Sequence, residues 1–259
     1  MHTSTKTTAS VYQKLRSGTG IRFILALAAF QAVAWAEGPP GDLARRVALR
    51  ATETRQARDN YTYRQSVRIE ELSPSGASAG EYREMREVIF SPQEERTERL
   101  IGKPLSLLKR LRLTEEDFRD IRQVQPFLFD SQQLRAYETQ FKGEETMDGV
   151  DCWVLQVRPR QILTGQRLFD GLLWVSKTGY DIVRSEGRAE PQIRSTREEN
   201  LFPHFTTLWA PVEGGFRFPV YTHADDTLDF RVGPQRIRLV IRYSEYRRFT
   251  AESTVKYTP

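Results

Sequence analysis

The chain has 259 residues, 39% hydrophobic and 28% charged, a mix that excludes a disordered chain and a polytopic membrane protein. Its 39 Lys+Arg against 34 Asp+Glu give a formal charge of +5 and a pI of about 9.4, which raises nucleic acid or an anionic surface as a partner. The single cysteine, Cys152, excludes an intrachain disulfide and cannot alone supply a structural zinc site, which needs about four ligands.

Residues 1–36 contain no Asp or Glu but carry Lys6, Lys14, Arg16 and Arg22. A mostly apolar run from Phe23 follows and ends in Ala34-Trp35-Ala36. A basic start, a short apolar run and a small-x-small end predict an export signal cleaved near Ala36. The run is shorter than the about 20 residues a membrane span needs. Without those four cations, 35 basic residues face 34 acidic ones, a formal charge of +1. The basic surplus therefore belongs to the signal, and no nucleic-acid partner is expected. The remainder, 37–259, is expected to be one domain.

Asp42 to about Asp59 is predicted to be a helix, with Ala44, Val47, Ala48 and Ala51 on one stripe. After Asn60 the period changes to 2, and Tyr61, Tyr63, Val67 and Ile69 share a strand face. Ser73-Pro74-Ser75-Gly76 marks a turn into a second strand, in which Glu84 and Arg86 interrupt the apolar phase of Tyr82, Val88 and Phe90. Pro92 to Ile101 is a third strand candidate. Pro104 with Leu105, Leu108 and Leu111 at helical spacing predicts a short helix. Thr114 to Asp117 resembles a capping box that opens another helix, ending before Pro126.

Strands are expected again from Leu134. Asp148-Gly149 predicts a hairpin turn into Val150 to Val157, and Lys177-Thr178-Gly179 another between Arg167–Ser176 and Tyr180–Gly187. Later candidates are Ser195–Trp209, Gly215–Tyr221, Thr227–Val232 and Arg236–Tyr243, with a phase slip at Tyr246 and Phe249 that predicts a bulge. About ten hairpin-linked strands with three helices predict a mainly β (α+β) domain built on an antiparallel sheet. A sheet of that length curls, so a strongly curved half-barrel covered by a few helices is expected.

The catalytic motifs lack their contexts. His223-Ala224-Asp225-Asp226 offers too few convergent zinc ligands and reads as a polar turn between strands. Gly76-Ala77-Ser78-Ala79-Gly80 matches a nucleophile elbow, but a strand follows where a helix is needed. Ser106-Leu107-Leu108-Lys109 and Lys177-Thr178-Gly179 match two of the three serine β-lactamase marks, and the third is absent. No catalytic residue, metal or cofactor is expected. A hydrolase would need His204 or His223 to meet Ser78 or an Asp in a cleft.

Aromatic residues make up 11% of the chain, many on predicted strands. The plain reading is a filled core. The functional alternative is a cavity holding an apolar ligand, with Tyr61, Tyr63, Phe141, Trp153, Trp174, Phe218 and Tyr221 as lining candidates.

Gly143-x-Glu145-x-Met147-Asp148-Gly149-x-x-Cys152-Trp153-x-Leu155-x-Val157 resembles a strand, turn and strand of the LolA-like outer-membrane lipoprotein-sorting family. Gly171 to Ser176 and Tyr180 to Gly187 resemble the hairpin that follows it. The resemblance is clearest over about 135–190. It implies a curved antiparallel half-barrel with a helical lid, a periplasmic location, and lipid or lipoprotein acyl chains as cargo, with cell-envelope proteins as further partners. The other reading is a non-carrier envelope interaction or sensor module of the same fold.

Overall fold

The alternation after Asn60 forms a twelve-residue strand, β1 (Tyr61–Leu72), in which Tyr61, Tyr63, Val67 and Ile69 are buried as their phase predicts. The computed structural model describes residues 38–90, 96–194 and 199–248. The expected export signal, its cleavage point and Phe249 lie outside the described residues.

Helix α1 (Leu43–Arg58) precedes β1 and buries Leu43, Val47, Ala48 and Ala51. Strands β2 (Ser78–Phe90), β3 (Arg96–Leu100) and β4 (Leu105–Ser106) follow, then α2 (Glu115–Arg119), which runs into a π-helical turn, Asp120–Val124. Next come β5 (Tyr137–Met147), β6 (Val150–Pro159), β7 (Leu168–Ser176) and β8 (Ile182–Glu190). The short β9 (Ile193–Arg194) and β10 (Glu199–Asn200) pair as a separate ribbon. Strands β11 (Phe205–Pro211), β12 (Arg217–Phe230) and β13 (Gly233–Arg248) complete the chain order.

Among the described residues the main sheet has eleven strands, in the order β3-β2-β1-β13-β12-β11-β8-β7-β6-β5, with β4 beside β2. All its pairs are antiparallel, and its two ends do not pair with each other. The last strand lies against the first, with Val67 opposite Ile241 and Ile69 opposite Leu239. Long-range pairing of this kind joins the two meanders into one sheet. The expected phase slip near Tyr246 is a register shift opposite Thr62 and Arg64, with Glu245 at φ 56°.

One face of the sheet carries the main core. Tyr63, Val67, Leu155, Phe169, Leu173, Phe205, Trp209 and Ile241 cluster there with α1 and with Ile121, Val124, Phe127 and Phe129. Each fully buried side chain of this size contributes about 1.5–3 kcal/mol. On the other face Cys152, Val154, Trp174 and Val183 form a small separate cluster. Elsewhere that face carries paired charges, such as Asp225 with Arg236 and Arg238.

Three expectations are corrected. Residues 105–111 are not a helix: Leu105 and Ser106 pair with β2, and the Glu71 carboxylate takes the amides of Lys109, Arg110 and Leu111. Tertiary hydrogen bonds here override a helical leucine spacing. Thr222–Asp229 is not a turn between strands but the body of β12, where Asp225 lies opposite Arg238 of β13. Cross-strand arginines neutralise an aspartate that otherwise disfavours a strand. The interruption in β2 is no break either, because Glu84 is buried and bonded by Tyr82 and Arg86.

The second helix is shorter than its expected span and continues as the π-turn before Pro126. Its capping box is present, with Asp117 in the usual Glu place. Both expected hairpin turns form, with Asp148 and Gly149 at φ 49° and 78°.

Candidate ligand cavity

Glu71 is 1% exposed and sits next to the end of β1. Its carboxylate accepts backbone hydrogen bonds at 2.9 Å from Lys109, 2.6 Å from Arg110 and 2.6 Å from Leu111. Gly80, its partner in β2, makes this crossing possible. A Cβ there would meet the Glu71 carboxylate at 2.6 Å and the Leu107 carbonyl at 2.7 Å. The segment thus held delivers Leu111 and Leu113 to one side of a cavity of about 250 Å³.

The opposite wall is Leu201, Phe202 and Pro203, and the β12–β13 hairpin adds Leu228, Phe230, Val232 and Ile237. Ile69 and Leu239 come from β1 and β13. Leu201, Leu228 and Ile237, with Leu111 and Phe230 against them, form a hydrophobic cluster distinct from the main core. Val232, 85% exposed, stands at the hairpin tip.

Several polar groups around this space have partners within the protein, while the exposed Arg112 at its edge has none among the described residues. Asn200 donates to the Thr114 hydroxyl at 2.8 Å, and Gln235 donates to the Leu72 and Arg236 carbonyls. The Thr114 amide donates to Asp117 at 2.6 Å. Behind them the Arg167 guanidinium is bonded to the Asp120 carboxylate, with side chains 3% and 0% exposed, and also reaches Asn200. Burial raises the pKa values of both Asp117 and Asp120, and for Asp120 the Arg167 charge opposes the rise. The remaining space is bounded mostly by carbon.

None of the seven aromatic candidates lines this cavity. Tyr61, Tyr63 and Phe218 do come together, but toward the other end of β1. Tyr61 meets Phe218 edge-on at 5.0 Å, and Tyr246 lies 5.0 Å from Tyr63 and 5.2 Å from Phe218. Trp153 touches Phe141 at 6.0 Å, and Lys177 lies over its ring. Trp174 and Tyr221 sit on the opposite face of the sheet. Trp174 donates to Glu145 beneath Arg184, and Tyr221 stacks on His223 at 5.4 Å. The cavity residues carried a weaker signal: aliphatic side chains in phase on β12 and β13, facing leucines whose spacing looked helical.

The other chemistry-bearing residues are dispersed. No group of three or more His, Cys, Asp or Glu able to hold a metal occurs among the described residues. Ser78 opens β2, and the His204 amide donates to Asp226. Burial pushes the Cys152 thiol up to about 11.

No family model matches the sequence, and no curated protein matches it. Solved structures do. A DUF1329 family protein from Desulfovibrio piger is 14% identical over 83% of this chain and 96% of its own, with a TM-score of 0.40. A LolA superfamily protein from Nitrosomonas europaea is 16% identical over 82% and 99%, with a TM-score of 0.34. The Mycobacterium tuberculosis lipoprotein LppX is 10% identical over 79% and 94%, with a TM-score of 0.28. Likenesses this distant do not assign the chain to a family. No helix among the described residues is long and apolar enough to cross a membrane.

Proposed function

We propose that this is an exported periplasmic protein that holds an acyl chain, of a lipid or of a lipidated partner, in the apolar cavity and performs no chemistry on it. In this reading residues 1–36 are its signal, cleaved near Ala36, and the sheet curves as a half-barrel. The 107–114 segment and α2 serve as the lid. The supporting observation is the cavity wall itself: eleven apolar side chains, with Asn200 and Gln235 beside them bonded within the protein. A wall this rich in apolar side chains favours an apolar guest. Each methylene it takes from water contributes about 0.8 kcal/mol.

The volume limits the cargo. At about 250 Å³ the cavity falls just below the usual ligand-site range of about 300–1,000 Å³. It takes one chain end, and a larger lipid requires the lid to move. Native mass spectrometry of protein expressed through the periplasm should show copurified lipid. Leu113→Trp, which fills the space, should remove it. Lipid that is absent from the wild type, or equally abundant in Leu113→Trp, overturns the reading.

The non-carrier reading is favoured by one feature. Among the described residues strand β5 ends the sheet with no strand paired on its outer side, and Phe141 on it is 39% exposed. Such an edge is a template for strand addition by a partner. Crosslinking that maps to β5, in protein free of lipid, would select it.

A further inference from the structure

A second opening, of about 670 Å³, lies where the end of α1 meets β3 and the 122–133 segment. Arg55, Arg58, Arg96 and Arg122 line it, against the carboxylates of Glu98 and Asp130. The two carboxylates are fully engaged. Asp130, with a side chain 3% exposed, takes Arg55 at 2.7 Å and the amides of Gln132 and Gln133. Glu98 takes Arg96 at 2.8 Å and Arg86 at 2.9 Å.

The arginines are not. Arg58 makes no hydrogen bond or ion pair with any described residue, and its Nε is buried without an acceptor. Nη2 of Arg96 is likewise buried and unbonded. Among the described residues Arg122 reaches only Glu115, whose side chain is 71% exposed, and an ion pair to so exposed a partner is weak. A buried donor on a charged group is costly to leave unmatched, and two of the arginines at the wall of this cleft carry one. Two last-turn carbonyls of α1, those of Arg55 and Ala57, are taken by the Asp59 and Asn60 amides and do not face an anion bare.

We infer that this cleft binds a phosphate group, free or in a lipid headgroup. Four guanidinium groups against the two lining carboxylates leave an excess of positive charge, which the exposed Glu115 offsets only in part. A phosphate dianion is attracted by that excess, and its tetrahedral oxygens serve several guanidinium forks at once. The site is separate from the apolar cavity and stands whether or not that cavity holds a lipid.

The test uses the full chain in two arms. The first titrates inorganic phosphate calorimetrically at low salt. The second sediments the protein with phosphatidylcholine vesicles, with and without phosphatidic acid. Arg58→Gln and Arg122→Gln should each weaken phosphate binding by about 5-fold or more. Arg58→Lys should weaken it less than Arg58→Gln, and Arg184→Gln, on the other sheet face, should leave it unchanged. Binding in the first arm alone identifies free phosphate. Sedimentation that needs phosphatidic acid and is lost in Arg58→Gln identifies a headgroup. Should Arg58→Gln unfold at a lower temperature, Arg122→Gln carries the comparison. Binding in neither arm, or equal binding by wild type and both Gln variants, overturns the inference.

Discussion

Across β7, β8 and β11, Phe127 stacks on Phe169 at 4.7 Å, and Phe205 and Tyr137 close around them. Across the far ends of β12 and β13, Leu228, Ile237 and Leu239 on the same sheet face border about 250 Å³ of open space. The difference lies in the cover. Over the first region the cover contributes rings, Phe127 and Phe129, that fill the volume beneath them. Over the second it is an extended segment held by its backbone to Glu71, whose apolar contribution to the wall is Leu111 and Leu113. A cover fixed through its backbone stands off the sheet, because no side chain has to fill the gap to hold it there.

The clamp between the two regions is where breaking one should hurt both. Arg167 at the head of β7 holds Asp120 of the π-turn and also reaches Asn200, whose amide reaches Thr114 at the cavity. Arg167→Met leaves Asp120 buried without its partner, and the expected cost is about 3–5 kcal/mol. Urea unfolding measures it. A loss below about 1 kcal/mol would mean that water replaces the guanidinium and that the two regions are not clamped.

Gly187→Ala confines the damage to the packed region. Gly171 and Gly187 face each other across β7 and β8 with the Phe169 ring against both. A Cβ on Gly187 would run into the Asp170 carbonyl and the Gly171 Cα, so the strands must part. Overpacking of this severity costs about 3 kcal/mol. If the two regions are built independently, ligand binding in the cavity should survive wherever the variant is still folded.

Glu71→Gln reverses the test. One oxygen remains to accept three amides, and a donor now faces them. About 1–3 kcal/mol should be lost. Amide exchange should accelerate at Lys109, Arg110 and Leu111 while Phe169 and Phe205 keep their protection. Uniform acceleration would show that the cover and the core open together.

These two regions differed in the same way in the sequence. The sheet was legible because alternation and turn chemistry are local: Tyr61 to Ile69, Asp148-Gly149 and Lys177-Thr178-Gly179 each specify their own geometry. The cavity was not legible, because its cover depends on Glu71, a charged residue in a strand whose partners lie about forty positions away. Leu105, Leu108 and Leu111 then look like a helix stripe. The aromatic candidates lie away from this cavity for a related reason. A ring's burial is predictable, but which face it takes depends on register, and Trp174 and Tyr221 lie opposite to Trp153 and Phe218.

The smallest effect concerns protons. Burial raises the pKa of Asp117 above its ordinary value of 3.8, although Thr114 hydrogen-bonds its carboxylate. The folded chain therefore keeps this proton to higher pH than the unfolded chain. That contribution to stability is fully present below the ordinary value and is lost as pH rises from there through the raised one. Asp117→Asn has no such proton, so the variant should gain on the wild type as pH rises above the ordinary value of 3.8. The comparison of the two curves cancels carboxylates elsewhere, such as Asp225, whose arginine partners lower its pKa and give the opposite slope. Parallel curves would mean that water reaches Asp117, and the cavity beside it would then be wet.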